Sequence, residues 1–238
     1  MDIYKEWREL KSTDAHALYE KINAVNVMSY VNCENYKDLV KIIDDYKDID
    51  NFLYYIENRG EFKPVFLSFT KLFFNFISSS ISLRDSSRNL IKLDGISTKE
   101  ICNESTLRLR NNIINNPLVK FVEDFRNIIS HQQMILPIFS CVIKKEKQIA
   151  GFSFKLSELM EMQRFSEQSK VFLKKEIEKY IFADEIVKEY FMLVSNYQKW
   201  LLSSIYTEHY KKYSHYWSVR GEVMFEWDGD MPINDFKI

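Results

Sequence analysis

The sequence predicts a mainly α-helical protein that carries one small β-hairpin. Only 5 of the 238 residues are Gly and 4 are Pro, too few for the turns that many short strands need. Apolar residues recur every three or four positions along most of the chain, which is the period of an amphipathic helix. Two β-prone runs, 138–143 and 149–154, flank the polar segment KKEKQ and predict the hairpin.

We expect a single domain, because the chain contains no internal repeat, low-complexity tract or obvious linker. Short helices separated by loops are expected at the N-terminus, one of them capped by Asp14 or Thr13. The most apolar helix is expected from about Pro64 to Leu93, and another helix is expected to end at Phe182. Beyond Gly221 we expect a tail with one short strand. The predicted parts are an N-terminal helical extension (1–60), the core helices (62–135), the hairpin (138–155), the C-terminal helices (156–217) and the tail (218–238).

The composition and net charge of the chain limit the functions that it can have. With 46% hydrophobic residues the chain is not intrinsically disordered. Its formal net charge of -1 creates no global attraction for nucleic acid, so RNA contact would need a local basic patch. Cys33, Cys102 and Cys141 are odd in number and lack metal-ligand spacing, which indicates neither a disulfide framework nor a zinc site. A reducing, cytoplasmic location is therefore expected.

One segment, Val65–Leu83, is apolar enough to suggest a membrane span. It contains Lys71, Asn75 and five serines, and Arg84-Asp85 follow it directly. These residues favour a buried core helix over a membrane span. The first ten residues, MDIYKEWREL, are charged and show no signal-peptide core.

The stretch from Asn115 to Pro137 predicts a helix with both ends encoded in the sequence. Two asparagines, Asn115 and Asn116, and then Pro117 suit an N-cap and the first helical position. Pro137 cannot continue the helix, so it should end by about Met134. One apolar stripe runs along it at helical spacing, and its members are Leu118, Phe121, Val122, Phe125, Ile128 and Ile129.

Three polar residues off this stripe, Arg126, Asn127 and His131, are the best candidates for chemistry. Asn127 and His131 are four residues apart and share a helix face, so the amide could orient the imidazole. Arg126 and His131 are five apart, about 140° around the axis. They converge only at an irregular helix end, if Arg126 reaches across, or through dimerisation. Alternatively, both are cations that interact with the helix macrodipole.

A second candidate lies in YTEHYKKYSHYW, where tyrosines alternate with lysines. The ring of Tyr210 could stack on a base while Lys211 and Lys212 contact phosphate. The alternative is an amphipathic helix end with half-buried tyrosines. The spacing of His209 and His215 does not place both on one helix face, which argues against metal binding.

Other sites of chemistry are not indicated. The chain has no Gly-rich phosphate loop, HExxH, GxSxG or CxxC motif, so no cofactor or metal is expected. The acidic run Glu226–Asp230 resembles a turn more than a calcium loop, because the remaining ligand positions are missing. His16 is expected on a polar helix surface, without a role.

The arrangement Arg126-Asn127-x-x-x-His131, followed by a helix end, resembles the motif of the HEPN superfamily (higher eukaryotes and prokaryotes nucleotide-binding). More narrowly, Phe125–Pro137 resembles a group of uncharacterised bacterial HEPN-like proteins with an "LRNYxxH…LP" stretch. In that group an apolar helix ending in serines precedes the motif, as Leu67–Asp85 does here, and a β-hairpin follows. The resemblance covers residues 62–156, and Ile128 stands where the group usually has an aromatic residue.

The resemblance implies a HEPN-like helical bundle and a metal-independent endoribonuclease, often a toxin or phage-defence component. Such proteins dimerise to bring two motifs into one cleft, so RNA, a second copy and a cognate antitoxin or partner protein are expected. His131 would be the general acid/base and Arg126 would stabilise the transition state. Asn127 would orient His131 or the phosphate, with Ser130 a minor contact. The alternative is a non-catalytic HEPN-like interaction or nucleotide-binding protein.

Overall fold

The predicted mainly α-helical fold with a small β-hairpin is confirmed by a computed structural model, which describes residues 2–93, 95–144, 147–175 and 179–226. Within these ranges the helices are α1 (Ile3–Leu10), α2 (Asp14–Asp45), α3 (Ile49–Glu57), α4 (Arg59–Ile91), α5 (Lys99–Leu109), α6 (Pro117–His131), α7 (Leu156–Glu161), α8 (Glu167–Lys175), α9 (Ala183–Lys212) and α10 (Ser214–Glu226). A π-helical segment, Arg110–Ile114, extends α5. The strands are β1 (Ile138–Lys144), β2 (Lys147–Lys155) and β3 (Tyr180–Phe182), and they form one antiparallel sheet in the order β1-β2-β3.

Three long helices, α2, α4 and α9, form the centre of the fold. The rings of Tyr36 on α2 and Phe191 on α9 stack with their centroids 3.7 Å apart. At the opposite ends of these two helices, His209 Nε2 lies 2.9 Å from the carbonyl oxygen of Ala15. Because early residues of α2 therefore meet late residues of α9, the two helices are antiparallel. Phe76 brings α4 against Tyr36.

Buried polar residues join α4 to both neighbours. Asn32 Oδ1 accepts hydrogen bonds from the hydroxyls of Ser79 and Ser80 at 2.9 and 2.7 Å. Ser87 Oγ lies 2.9 and 2.7 Å from the amide oxygen and nitrogen of Gln198. Small hydroxyl side chains let the helices approach closely while keeping buried polar groups paired. By length and composition alone α4 could also span a membrane, and 33% of its most apolar window is buried.

The sheet packs across one end of these helices through phenylalanine rings. Phe152 of β2 stacks on Phe69 of α4, with centroids 3.9 Å apart and planes 4° from parallel. Phe154 lies 5.3 Å from Phe73 of α4 and 5.2 Å from Phe125 of α6. Because each of these rings is at most 5% exposed, the sheet, α4 and α6 form a single apolar core.

Two expected boundaries near the N-terminus were wrong. Asp14–Asp45 is one continuous helix rather than short pieces, because it contains neither Gly nor Pro to interrupt it. Its expected cap is confirmed, since the Thr13 side chain accepts from the backbone N–H of His16. α4 begins at Arg59 and not near Pro64.

Two further differences lie after the hairpin. The segment ending at Phe182 forms β3 rather than a helix end, because Ile181 and Phe182 are buried against β2. Residues up to Glu226 are helical where a tail was expected from 218. Burial of Val219 and Val223 on either side of Gly221 outweighs the low helix propensity of glycine. The rest of the expected tail, its strand and most of the acidic run lie outside the described residues.

A second aromatic cluster joins α1, α2, α9 and α10. His16 was expected on a polar surface, but its Nδ1 lies 3.1 Å from the hydroxyl of buried Tyr216. Trp217 Nε1 donates to His209 Nδ1 at 2.9 Å. An indole N–H can only donate, so His209 must be neutral and donate from Nε2 to Ala15. Burial lowers the pKa of both histidines.

Acid should therefore weaken the fold. Both histidines take up protons more readily in the unfolded chain, so the free energy of unfolding should fall as the pH drops below about 6.5. Urea titrations followed by tryptophan fluorescence at about pH 7.5 and 5.5 measure this difference. His209→Gln should reduce the difference. Equal pH dependence in wild type and His209→Gln would contradict this assignment.

Candidate functional site

The two features predicted for the start of α6, an asparagine N-cap and a proline in the first turn, are present. The Asn116 side chain accepts from the backbone N–H of Leu118 at 2.9 Å, and Pro117 occupies the first turn. The helix then continues regularly to His131, and the chain leaves it only at Gln132. The motif therefore has no irregular helix end within it. A regular helix separates Arg126 and His131 by about 140°.

The candidate residues are open to solvent at the end of α6. Arg126 is half-buried, whereas Asn127, Ser130 and His131 are exposed. Arg126 Nη1 donates to Asn127 Oδ1 at 3.3 Å. The side-chain hydrogen bonds of the described residues include none between Asn127 and His131, so the expected orientation of the imidazole by this amide is not seen. The Asn127 amide instead faces the guanidinium.

The segment after His131 presents apolar side chains to solvent. Ile135 is buried at 8% exposure, but its neighbours Met134 and Leu136 are 52% and 57% exposed. The candidate site therefore has an apolar border on its C-terminal side.

Sequence reasoning missed one residue beside this site, Arg164 in the loop between α7 and α8. When the Gln132 amide is oriented to satisfy both groups, its oxygen accepts from Arg164 Nη1 at 3.1 Å and Nε at 3.3 Å. Gln132 directly follows His131, so this contact brings a second guanidinium to the end of α6. No local sequence pattern predicts that Arg164 lies beside this site, because its position depends on contacts with residues some forty positions earlier in the chain.

Those contacts come from the buried side of α6. Asp124 Oδ2 accepts from the backbone N–H of Ser166 at 2.9 Å and from the hydroxyl of Ser169 at 2.7 Å. The ring of Phe165 stacks on Phe121 with centroids 5.3 Å apart. Burial alone would raise the pKa of Asp124, but these hydrogen bonds and the charge of Lys120 outweigh it and hold the pKa below its usual range.

The basic and aromatic residues at the end of α9 lie elsewhere. Tyr210 is 60% exposed, Lys211 Nζ pairs with Glu208 at 2.8 Å, and Lys212 Nζ lies 5.1 Å from the ring centroid of Tyr213. They follow Phe191 along α9 by about 28 Å, at the end that packs against the start of α2. Within one chain they are not beside the candidate site at the sheet end of α6.

The two histidines of that segment are engaged in separate contacts. His209 is buried between Trp217 and Ala15, and His215 Nε2 lies 3.0 Å from Glu6 Oε1. Among the described residues no group of three or more His, Cys, Asp or Glu side chains could hold a metal ion.

Comparison with protein-family models, curated proteins and solved structures finds no match for this chain.

The Asp124 anchor can be tested by substitution. Asp124→Ala should lower the free energy of unfolding by about 1–3 kcal/mol, because the buried Ser169 hydroxyl and the half-buried N–H of Ser166 both lose their acceptor. Asp124→Asn keeps one acceptor oxygen in place and should cost less. Urea denaturation of wild type, Asp124→Ala and Asp124→Asn measures the order of their stabilities. An alanine variant as stable as wild type would refute the anchoring role.

Proposed function

We propose that this protein is a metal-independent endoribonuclease whose reacting groups are His131 and Arg126. One observation carries the proposal: an imidazole and a guanidinium stand in solvent contact on a helix whose opposite face is fixed in the core. Neither side chain forms an ion pair with a described carboxylate, so both are available to a phosphodiester. The resemblance of the motif to the HEPN superfamily supports the same function.

The proposed reaction uses these groups as follows. A neutral His131 accepts the proton of the RNA 2′-hydroxyl, and the 2′-oxygen forms a bond to phosphorus. The bond from phosphorus to the 5′-oxygen breaks, and a protonated His131 donates a proton to that oxygen. The Arg126 guanidinium stabilises the negative charge of the phosphorane-like transition state. The products are a 2′,3′-cyclic phosphate and a 5′-hydroxyl.

Two copies of the chain would complete this site. The reaction needs a base and an acid on opposite sides of phosphorus, and each chain offers one His131 at this position. The regular helix also keeps His131 and Arg126 of one chain on different faces. The exposed Met134 and Leu136 beside His131 would supply apolar contact between copies. A two-fold axis through this surface brings two histidines and two arginines together.

Cleavage without metal is the first test. Purified protein with total RNA and EDTA should cleave RNA, and His131→Ala should slow cleavage by about 100-fold or more. Its melting temperature should stay near that of wild type, because the side chain is exposed. His215→Ala, at another exposed histidine, is the control and should keep the wild-type rate. A wild-type protein that leaves RNA intact, or an alanine variant as fast as wild type, would overturn the proposal.

A mixed dimer tests the shared site. Wild-type and His131→Ala chains carrying different tags are co-expressed, and the heterodimer is purified through both tags. A shared cleft then lacks either its base or its acid, so the heterodimer should cleave RNA about tenfold more slowly than wild type, or slower still. If each chain works alone, the heterodimer should keep about half of the wild-type rate.

The competing function is a non-catalytic interaction protein in which Arg126 and His131 only stabilise the helix end. In that case the same substitutions should lower the free energy of unfolding by about 1 kcal/mol through the macrodipole, with no RNA cleavage in wild type.

A further inference from the structure

We propose that Arg164 binds an RNA phosphate next to the scissile bond, as a substrate-positioning residue of the same site. This inference rests on the proposed ribonuclease function and adds a residue outside the motif helix to it. It predicts that the RNA runs from the end of α6 onto the loop between α7 and α8.

The geometry leaves Arg164 free to bind an anion. Its guanidinium has five N–H donors, and the Gln132 amide takes two of them. Arg164 is exposed and forms no ion pair with a carboxylate among the described residues. The remaining donors have the planar arrangement that suits a phosphate.

Unlike Arg164, the cations Lys120 and Arg84 are paired with carboxylates. Lys120 Nζ lies 3.3 Å from Glu123 Oε2 and 3.5 Å from Asp124 Oδ1. Arg84 also pairs with Glu123. The charges of Lys120 and Arg84 are therefore balanced within the protein. Among the described residues, Arg126 and Arg164 hydrogen-bond only to amide side chains, so their positive charge can attract a polyanion to a chain of nearly zero net charge.

The backbone at Arg164 is held in place by contacts of the next two residues, Phe165 and Ser166. Phe165 is 2% exposed and stacks on Phe121, and the N–H of Ser166 is bound by buried Asp124. Both anchors belong to α6, the helix that carries His131. A phosphate bound by Arg164 would thus be fixed relative to the reacting groups at a low cost in conformational entropy.

Binding and cleavage measurements with Arg164→Gln test the inference, and Arg110→Gln is the matched control. Arg110 is also exposed and without a described ion pair, but it lies before the start of α6. The probe is a short single-stranded RNA in which fluorine replaces each 2′-hydroxyl, so that the sugar stays RNA-like and the strand binds without being cleaved. Fluorescence anisotropy gives its affinity at several salt concentrations.

Arg164→Gln should reduce the slope of log affinity against log salt by about 0.7, the value for one phosphate contact on a single strand. It should raise KM for cleavable RNA about tenfold while leaving kcat near wild type. Arg110→Gln should change neither quantity, and both variants should melt near the wild-type temperature.

The outcomes separate this inference from the proposed function. If wild type cleaves RNA and Arg164→Gln behaves like Arg110→Gln, the phosphate contact is wrong and the ribonuclease function stands. If wild type binds the probe with an Arg164-dependent salt slope but does not cleave RNA, the contact stands and the catalytic function fails. A wild-type protein that neither binds nor cleaves RNA overturns both.

Discussion

The packing of Phe125 between Phe73 and Phe154 determines where the candidate site lies. Phe125 is 1% exposed, and its ring meets Phe73 of α4 at 5.6 Å and Phe154 of β2 at 5.2 Å. Because Arg126 is the next residue, the contact that buries one side chain turns the other towards solvent. The apolar stripe of α6 thus sets both the rotation of the helix and the exposure of its polar residues.

Local signals in the sequence were enough to predict the element that carries the site. Asn116, Pro117 and Pro137 each act on their own backbone, so the bounds of α6 follow from residues next to one another. The hairpin is similarly local. By contrast, β3 forms because Ile181 and Phe182 meet a strand from earlier in the chain, and α10 passes through Gly221 because Val219 and Val223 are buried. Tertiary packing overrode local preference at both places.

The candidate site shows the same division between local and tertiary information. Spacing identified Arg126 and His131 and their separation around the helix. It could not reveal Arg164, whose contact with Gln132 depends on the anchoring of Phe165 and Ser166 to α6. Nor could it tell that the Asn127 amide would face Arg126. Because α6 is regular as far as His131, the proposed catalysis by Arg126 and His131 depends on the proposed self-association.

The chemistry at the ends of the RNA fragments tests the central claim most directly. If His131 activates the 2′-hydroxyl, mass spectrometry of fragments formed in EDTA should find 2′,3′-cyclic phosphates paired with 5′-hydroxyls. A single 2′-deoxy substitution at the cleavage position should block the cut there. Fragments with 3′-hydroxyl and 5′-phosphate ends, or cleavage that persists at the 2′-deoxy position, would contradict the account.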